Sequence, residues 1–173
     1  MIRRISIKKR YPNQDIRYSN FLVSLLINRI LKKGKKSLAK ILVYKAFDII
    51  YKKLEKDPLI IFERAIKNVS PKIQVKLSRI KRRKSALLVP TLISRYNATN
   101  IAIKWIISFA KKRTGKEFSL KLANEILDAA SKSGSSFKKK EETHKTAEAN
   151  KSALRSKKVK RKKKTKQNKL KKN

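Results

Sequence analysis

Catalysis requires a positioned base, nucleophile or metal cluster, and two short stretches of this chain carry residues that could begin one. Gly34-Lys35-Lys36-Ser37 has the ending of a P-loop, in which a lysine and a hydroxyl meet the phosphates of a nucleotide. Its first glycine is missing, and the residues before it read as helix rather than strand. Glu141-Glu142-Thr143-His144 sets acids beside a histidine, but a zinc-protease helix needs a second histidine four residues away. His144 is the only one in the chain, and it reads as a polar contact. Cysteine is absent, which removes thiolate metal sites, disulfides and a cysteine nucleophile and fits a reducing compartment. Three glycines cannot build a Gly-rich dinucleotide loop. These residues nominate no reaction, no metal and no cofactor.

What they nominate is anion binding. Lys and Arg total 50 against 11 Asp and Glu in 173 residues, a net charge of +39, and the isoelectric point is near 10.9. That excess is far beyond what solubility asks for, so a polyanion is the implied partner. No run approaches the roughly 18 apolar residues of a membrane span, which leaves nucleic acid as the better choice. Cations that displace counterions from phosphates bind with a steep salt dependence. Clusters suited to this are Arg79-Ile80-Lys81-Arg82-Arg83-Lys84-Ser85-Ala86, then Lys111, Lys112, Arg113 and Lys116 around Gly115, and the segment 155–173. Each also has a plainer reading as a solvated face. Trp105 reads as core rather than as a base-stacking platform, because it lies in an apolar helix face. The last segment holds twelve of the basic residues and no acid, so its removal leaves about +27 on residues 1–154. The body is itself a polycation.

Hydrophobic residues make up 40% of the chain, near the globular average. The cations should therefore be mounted on one domain with a real core. The first twenty residues show scattered charge and a Tyr11-Pro12-Asn13 turn signal, and are read as an extended basic arm, with the domain boundary at 18/19. Phe21 to Leu31 is a buried helix, capped by Ser19 or Asn20 and ended by Gly34. Ser37 caps a second helix, whose Leu38, Leu42, Ala46, Ile49 and Leu54 share a face. Asp57-Pro58 starts a third, with Leu59, Phe62, Ala65, Ile66 and Val69 inward and Ser70-Pro71 as its end. The period then becomes two, with Ile73, Val75 and Leu77 alternating with polar neighbours, and Leu87 to Ile93 gives a second strand. Together they form a hairpin over about residues 72–93 with a basic tip. Pro90 limits it to an edge or a free ribbon.

A fourth helix spans about Asn97 to Arg113, with Ala98, Ala102, Trp105 and Phe109 on one face. Ser119 caps a fifth, carrying Leu122, Ala123, Ile126, Leu127 and Ala130 and stopping near Gly134. A sixth, from Ser136 to about Leu154, is mostly polar and needs a partner to be stable. Residues 155–173 are expected to be disordered by charge repulsion. The N-terminal ten residues lack the apolar stretch of a signal peptide, so the expected place of work is the compartment of synthesis. Heavy use of Lys, Ile and Asn points to an AT-rich coding genome.

Four stretches in this order, INRILKKGKKSLA (27–39), DPLIIFERAIKNVSP (57–71), AIKWIISFAKKRTGK (102–116) and KKKEETHKTAEAN (138–150), carry a resemblance. With the basic hairpin between the second and third, the chain resembles small-subunit ribosomal protein seven, the bacterial and organellar family, over about residues 1–155. The first and last stretches look closest to plastid versions, with a mitochondrion or a bacterial cytoplasm as the alternative. The resemblance implies a six-helix body with a protruding hairpin that binds the 3′ major domain of small-subunit rRNA, organises assembly of the head and touches neighbouring head proteins. It implies RNA contacts at Arg3, Arg4, Lys8 and Arg10 of the arm, at Lys35 and Lys36, and at Lys76 and Arg79 of the hairpin. Further contacts fall on Arg95, on Arg113 and Lys116, and on Lys139, His144 and Asn150. Lys81, Arg82, Arg83 and Lys84 would approach exit-site tRNA and mRNA. The chain departs from the family in having Arg-Lys-Ser-Ala where the hairpin turn usually has Gly-Gly, and SALRSKKVKRKKKTKQNK in place of an aromatic-rich ending. A DNA-binding nucleoid protein is the other reading of the same charge, and an enzyme a distant third.

Overall fold

The computed structural model describes residues 12–79 and 86–151. The arm through residue 11, the hairpin tip at 80–85 and the tail from 152 lie outside the described residues. The elements are α1 (Phe21–Ile30), α2 (Lys36–Leu54), α3 (Pro58–Val69), β1 (Ile73–Arg79), β2 (Ala86–Leu92), α4 (Arg95–Lys112), α5 (Phe118–Ala130) and α6 (Gly134–Ala149). Mainly helical architecture with one hairpin between the third and fourth helices is what the hydrophobic periods predict.

Local chemistry explains most boundaries. Asn20, rather than Ser19, caps α1 by accepting from the Leu22 N–H at 2.7 Å. Asp57 does the same for Leu59 at 2.9 Å, with Pro58 in the first turn, where its missing N–H is not needed. Two expected caps are corrected. Ser37 lies inside α2, because the turn through Lys33 (φ 49°) and Gly34 (φ 74°) brings the chain into helix at Lys36, with Lys35 at the N-cap. Ser119 lies inside α5, where it is fully buried with its Oγ unpaired. Phe118, which packs on the core, begins that helix with Glu117 at the N-cap. The α2 stripe is also rotated from the expected one. Ala39, Val43, Ala46, Phe47 and Ile50 are buried, while Leu38 and Leu54 are about half exposed. Small alanines at 39 and 46 let the helix approach its neighbours around Phe47.

The core is built around α5, which packs against α2, α3, α4 and α6. Its Leu122, Ala123, Ile126 and Ala129 have no exposed surface. Phe47 and Phe62 meet at 5.4 Å between ring centroids, tilted as aromatic pairs prefer. The strands pair antiparallel from Ile73↔Leu92 to Arg79↔Ala86. Ile73, Val75 and Leu77 therefore share a face with Leu92, Pro90 and Leu88. Helix α6, too polar to stand alone, lies against both strands as well as α3, α4 and α5. It starts at Gly134, earlier than its pattern suggests, and has Asn150 at its C-cap, while the expected end near Leu154 lies outside the described residues.

Candidate nucleic-acid interface

Eleven acids in a chain of +39 must be used selectively, and seven of them accept local hydrogen bonds or ion pairs, with Asp15 and Glu125 buried. Asp15 takes the Tyr44 hydroxyl, Asp48 takes Arg17, and Glu63 takes the Asn20 amide. Asp57 caps α3, Glu125 and Asp128 hold Arg113, and Glu142 pairs with Lys139. Among the described residues, the cations in ion pairs are Arg17, Arg113 and Lys139. Lys35, Lys36, Lys76, Arg95 and Lys116 are exposed and have no carboxylate at salt-bridge distance among the described residues. Such groups keep their charge for an external anion.

Lys35, Lys36, Arg95 and Lys116 sit at or beside the ends of helices, and Lys76 in the middle of β1. Lys35 and Lys36 lie at the start of α2, whose first turn contains no acid, so the positive end of the helix adds to their field. Beside them, Lys32, Lys33 and Lys35 edge a shallow hollow of about 200 Å³ with Leu38 and Leu42. Lys76 projects from β1 opposite Val89. Arg79 ends β1, and its register with Ala86 is set. Arg95 opens α4 and lines a groove of about 790 Å³ that also carries Lys67 and Lys72 over an apolar floor of Leu22, Ile66, Pro71 and Ile93. Lys116 lies next to Gly115 in the α4–α5 turn.

The four cations grouped at the end of α4 are separated by the fold. Lys111 and Lys116 face solvent, and the Lys112 ammonium lies 5.5 Å from the Phe109 ring. Arg113 turns inward. Its Nε donates to Glu125 Oε2 at 2.6 Å and its Nη2 donates to Asp128 Oδ2. Burial opposes the guanidinium charge, but Asp128 and Glu125 outweigh it and raise the Arg113 pKa above its ordinary value. A guanidinium already held by two carboxylates has little left for a phosphate.

The α6 positions are likewise engaged. His144 Nε2 accepts the Lys72 N–H at 3.2 Å, fixing the base of β1 to the helix. Burial, then the neighbouring Lys140 ammonium, lower the His144 pKa and favour the neutral acceptor. Lys140 donates to the Asn68 carbonyl at 2.6 Å and covers the Phe137 ring. Lys139 makes only an exposed pair with Glu142, which a stronger anion could replace. Asn150 donates to the Thr146 carbonyl at 2.8 Å and closes α6. Arg3, Arg4, Lys8, Arg10, Lys81, Arg82, Arg83 and Lys84 lie outside the described residues.

Sequence reasoning missed the anchoring acids. Asp15 is 5% exposed and Glu125 1% exposed. Their rarity in a basic chain was the available signal, because an acid kept where most positions are basic needs a local reason. No group of three or more His, Asp or Glu among the described residues could hold a metal ion. No described helix is long and apolar enough to cross a membrane.

The family described as ribosomal protein S7p/S5e matches residues 2–151. The chain is similar to small ribosomal subunit protein uS7c of Trieres chinensis, with 52% identity over 145 residues, covering 84% of this chain and 90% of that protein. It is also similar to small ribosomal subunit protein uS7 of Synechococcus elongatus, 41% identical over 147 residues covering 85% and 93% of the two chains. The protein of the same description in Thermosynechococcus vestitus is 43% identical over 147 residues, with the same coverage.

Proposed function

The chain belongs to the ribosomal protein S7p/S5e family and is a structural, non-catalytic component of the small ribosomal subunit; from that premise we propose that it binds the 3′ major domain of small-subunit rRNA and organises the head around it. The observation that carries this reading is the division of charge: acids engaged in local hydrogen bonds and ion pairs, and Lys35, Lys36, Lys76, Arg95 and Lys116 exposed with no carboxylate at salt-bridge distance among the described residues. Structured RNA is recognised largely by shape and phosphate spacing. A rigid helical body with cations fixed at its corners supplies a matching set of points, and each phosphate neutralised adds to affinity through counterion release.

The roles proposed for the site residues are supported by the exposure of Lys35, Lys36, Lys76, Arg95 and Lys116 and, for the hairpin tip, by its run of basic residues. Lys35 and Lys36 contact one phosphate run at the positive end of α2. Arg95, with Lys67 and Lys72, borders the groove at the base of the hairpin. Lys76 and Arg79 carry the contact along the ribbon, and Lys81, Arg82, Arg83 and Lys84 extend it toward exit-site tRNA and mRNA. Lys116 serves the α4–α5 turn and Lys139 the surface of α6. Arg113, His144 and Asn150 support the interface by holding its elements together. Neighbouring head proteins complete the set of partners. The location proposed is a plastid ribosome, supported by the higher identity to the uS7c relative than to the two uS7 relatives.

Hydroxyl-radical footprinting on full-length small-subunit rRNA tests the reading. Protection confined to the 3′ major domain is expected. Protection scattered over all domains, or equal affinity for random duplex DNA, would overturn it in favour of a general polyanion binder.

A further inference from the structure

Arg64 and Lys67 of α3 and Lys132 of the α5–α6 turn border a hollow of about 430 Å³ whose other walls are Asn68, Ala130 and Ser131. All three cations are exposed, and none has a carboxylate at salt-bridge distance among the described residues. Arg64 and Lys132 belong to no charge run of the sequence, so only the fold brings them to one place.

The walls of the hollow are held in position. The Asn68 amide donates to the carbonyls of Ala129 and Ala130 at 3.1 and 3.0 Å, and the Lys140 ammonium donates to the Asn68 carbonyl at 2.6 Å. These bonds join the end of α3 to the end of α5 and to α6, and groups fixed in advance lose less freedom on meeting a ligand. Helix α5 closes in a Schellman turn, with the Ser133 N–H donating to the Asp128 carbonyl at 2.8 Å and the Lys132 N–H to the Ala129 carbonyl at 3.3 Å. Lys132 takes the left-handed position of that turn, φ 60°, where glycine is the usual residue because it has no Cβ to clash. A lysine there carries a backbone cost that glycine would not, and sets a long cation at the rim. Burial lowers the Lys140 pKa below its ordinary value; Glu141 opposes this, and the Lys72 and Lys132 charges add to it. Cations that repel one another across a face gain from a shared anion. Lys67 also lines the groove of about 790 Å³ that carries Lys72 and Arg95, so basic surface continues across the C-terminal half of α3.

We propose that the Arg64–Lys67–Lys132 hollow is a second phosphate-binding site for the rRNA backbone, separate from the groove at the hairpin base and sharing Lys67 with it. Arg64 offers a phosphate its planar fork of donors, and Lys67 and Lys132 act as point charges on either side. This inference rests on the rRNA reading above.

The test uses the full chain and a transcript of the 3′ major domain. Lys132→Gly removes the cation and supplies the residue that the turn favours, so the thermal midpoint should hold or rise while affinity falls about three-fold. Arg64→Ala combined with Lys132→Gly should weaken binding about ten-fold near physiological salt and reduce the slope of log K against log salt by about 2. Unchanged affinity and slope would overturn the site. So would unchanged transcript binding together with failure of the double variant to enter reconstituted subunits, which would assign the hollow to an acidic segment of a neighbouring protein. The rRNA reading fails separately, if the unaltered chain binds an unrelated transcript of equal length as tightly.

Discussion

Arg113 reaches across the α4–α5 turn so that its Nε lies 2.6 Å from Oε2 of Glu125, a carboxylate only 1% exposed. The other oxygen of Glu125 accepts from the backbone N–H of Ser136 at 3.1 Å and from its hydroxyl. One buried acid therefore joins the end of α4, the middle of α5 and the start of α6. Removing one partner of a buried pair leaves the other desolvated and uncompensated, which costs more than the pair ever contributed. Glu125→Ala should destabilise the fold by about 3 kcal/mol, read as a lowered thermal midpoint, while Glu125→Gln retains part of the network and falls between.

The same junction constrains its neighbouring turn. Gly134 has φ +70°, and a Cβ there would lie 3.0 Å from Cβ of Asp128. Gly134→Ala should lose about 1–2 kcal/mol, from the left-handed backbone and the contact together. Denaturant unfolding measures it, and an unchanged midpoint would show that the turn relaxes freely.

Free and engaged cations should separate in binding experiments. Replacing Lys35, Lys36 and Lys116 by Ala should lower rRNA affinity and reduce the slope of log K against log salt by about 2, with the thermal midpoint hardly moved. Arg113→Ala should do the reverse, lowering the midpoint with little change of slope. If Arg113→Ala flattened the slope as much as a lysine, its inward geometry would not persist on RNA.

His144 gives the fold a pH dependence. A histidine whose folded-state pKa lies below the free value of 6.5 binds fewer protons folded than unfolded. The stability it contributes is complete above pH 6.5 and is lost as the pH falls through the folded value. Burial and the Lys140 and Lys72 charges act in this direction, and Glu148 opposes them. The thermal midpoint should fall between about pH 7.5 and 5.5, and the fall should be smaller in His144→Gln. Equal falls in both proteins would mean that His144 keeps its ordinary pKa.

These effects mark where the sequence was legible. Hydrophobic period and turn residues located every helix and the hairpin, because Leu, Ile and Ala spacing records burial directly and Asp57-Pro58 records a helix start. Ser37 and Ser119 misled because a good capping residue is also a tolerable helix residue, and the packing of Phe118 and the Lys33-Gly34 turn decided the boundary. The exposed lysines of the interface were visible as charge runs. What the runs could not reveal was that Arg113 belongs to α5 and His144 to the hairpin base, since those contacts join residues brought together only by the tertiary fold. Asp15 was hidden for the same reason, in a segment whose composition suggested an arm.

Sedimentation through a high-salt cushion tests the central claim most directly. The full chain, added to small subunits reconstituted without their own copy, should travel with them at one copy per subunit after salt has removed loosely bound cations. Loss of the chain from the subunit, or equal retention on small and large subunits, would contradict its place as a structural component of the small subunit.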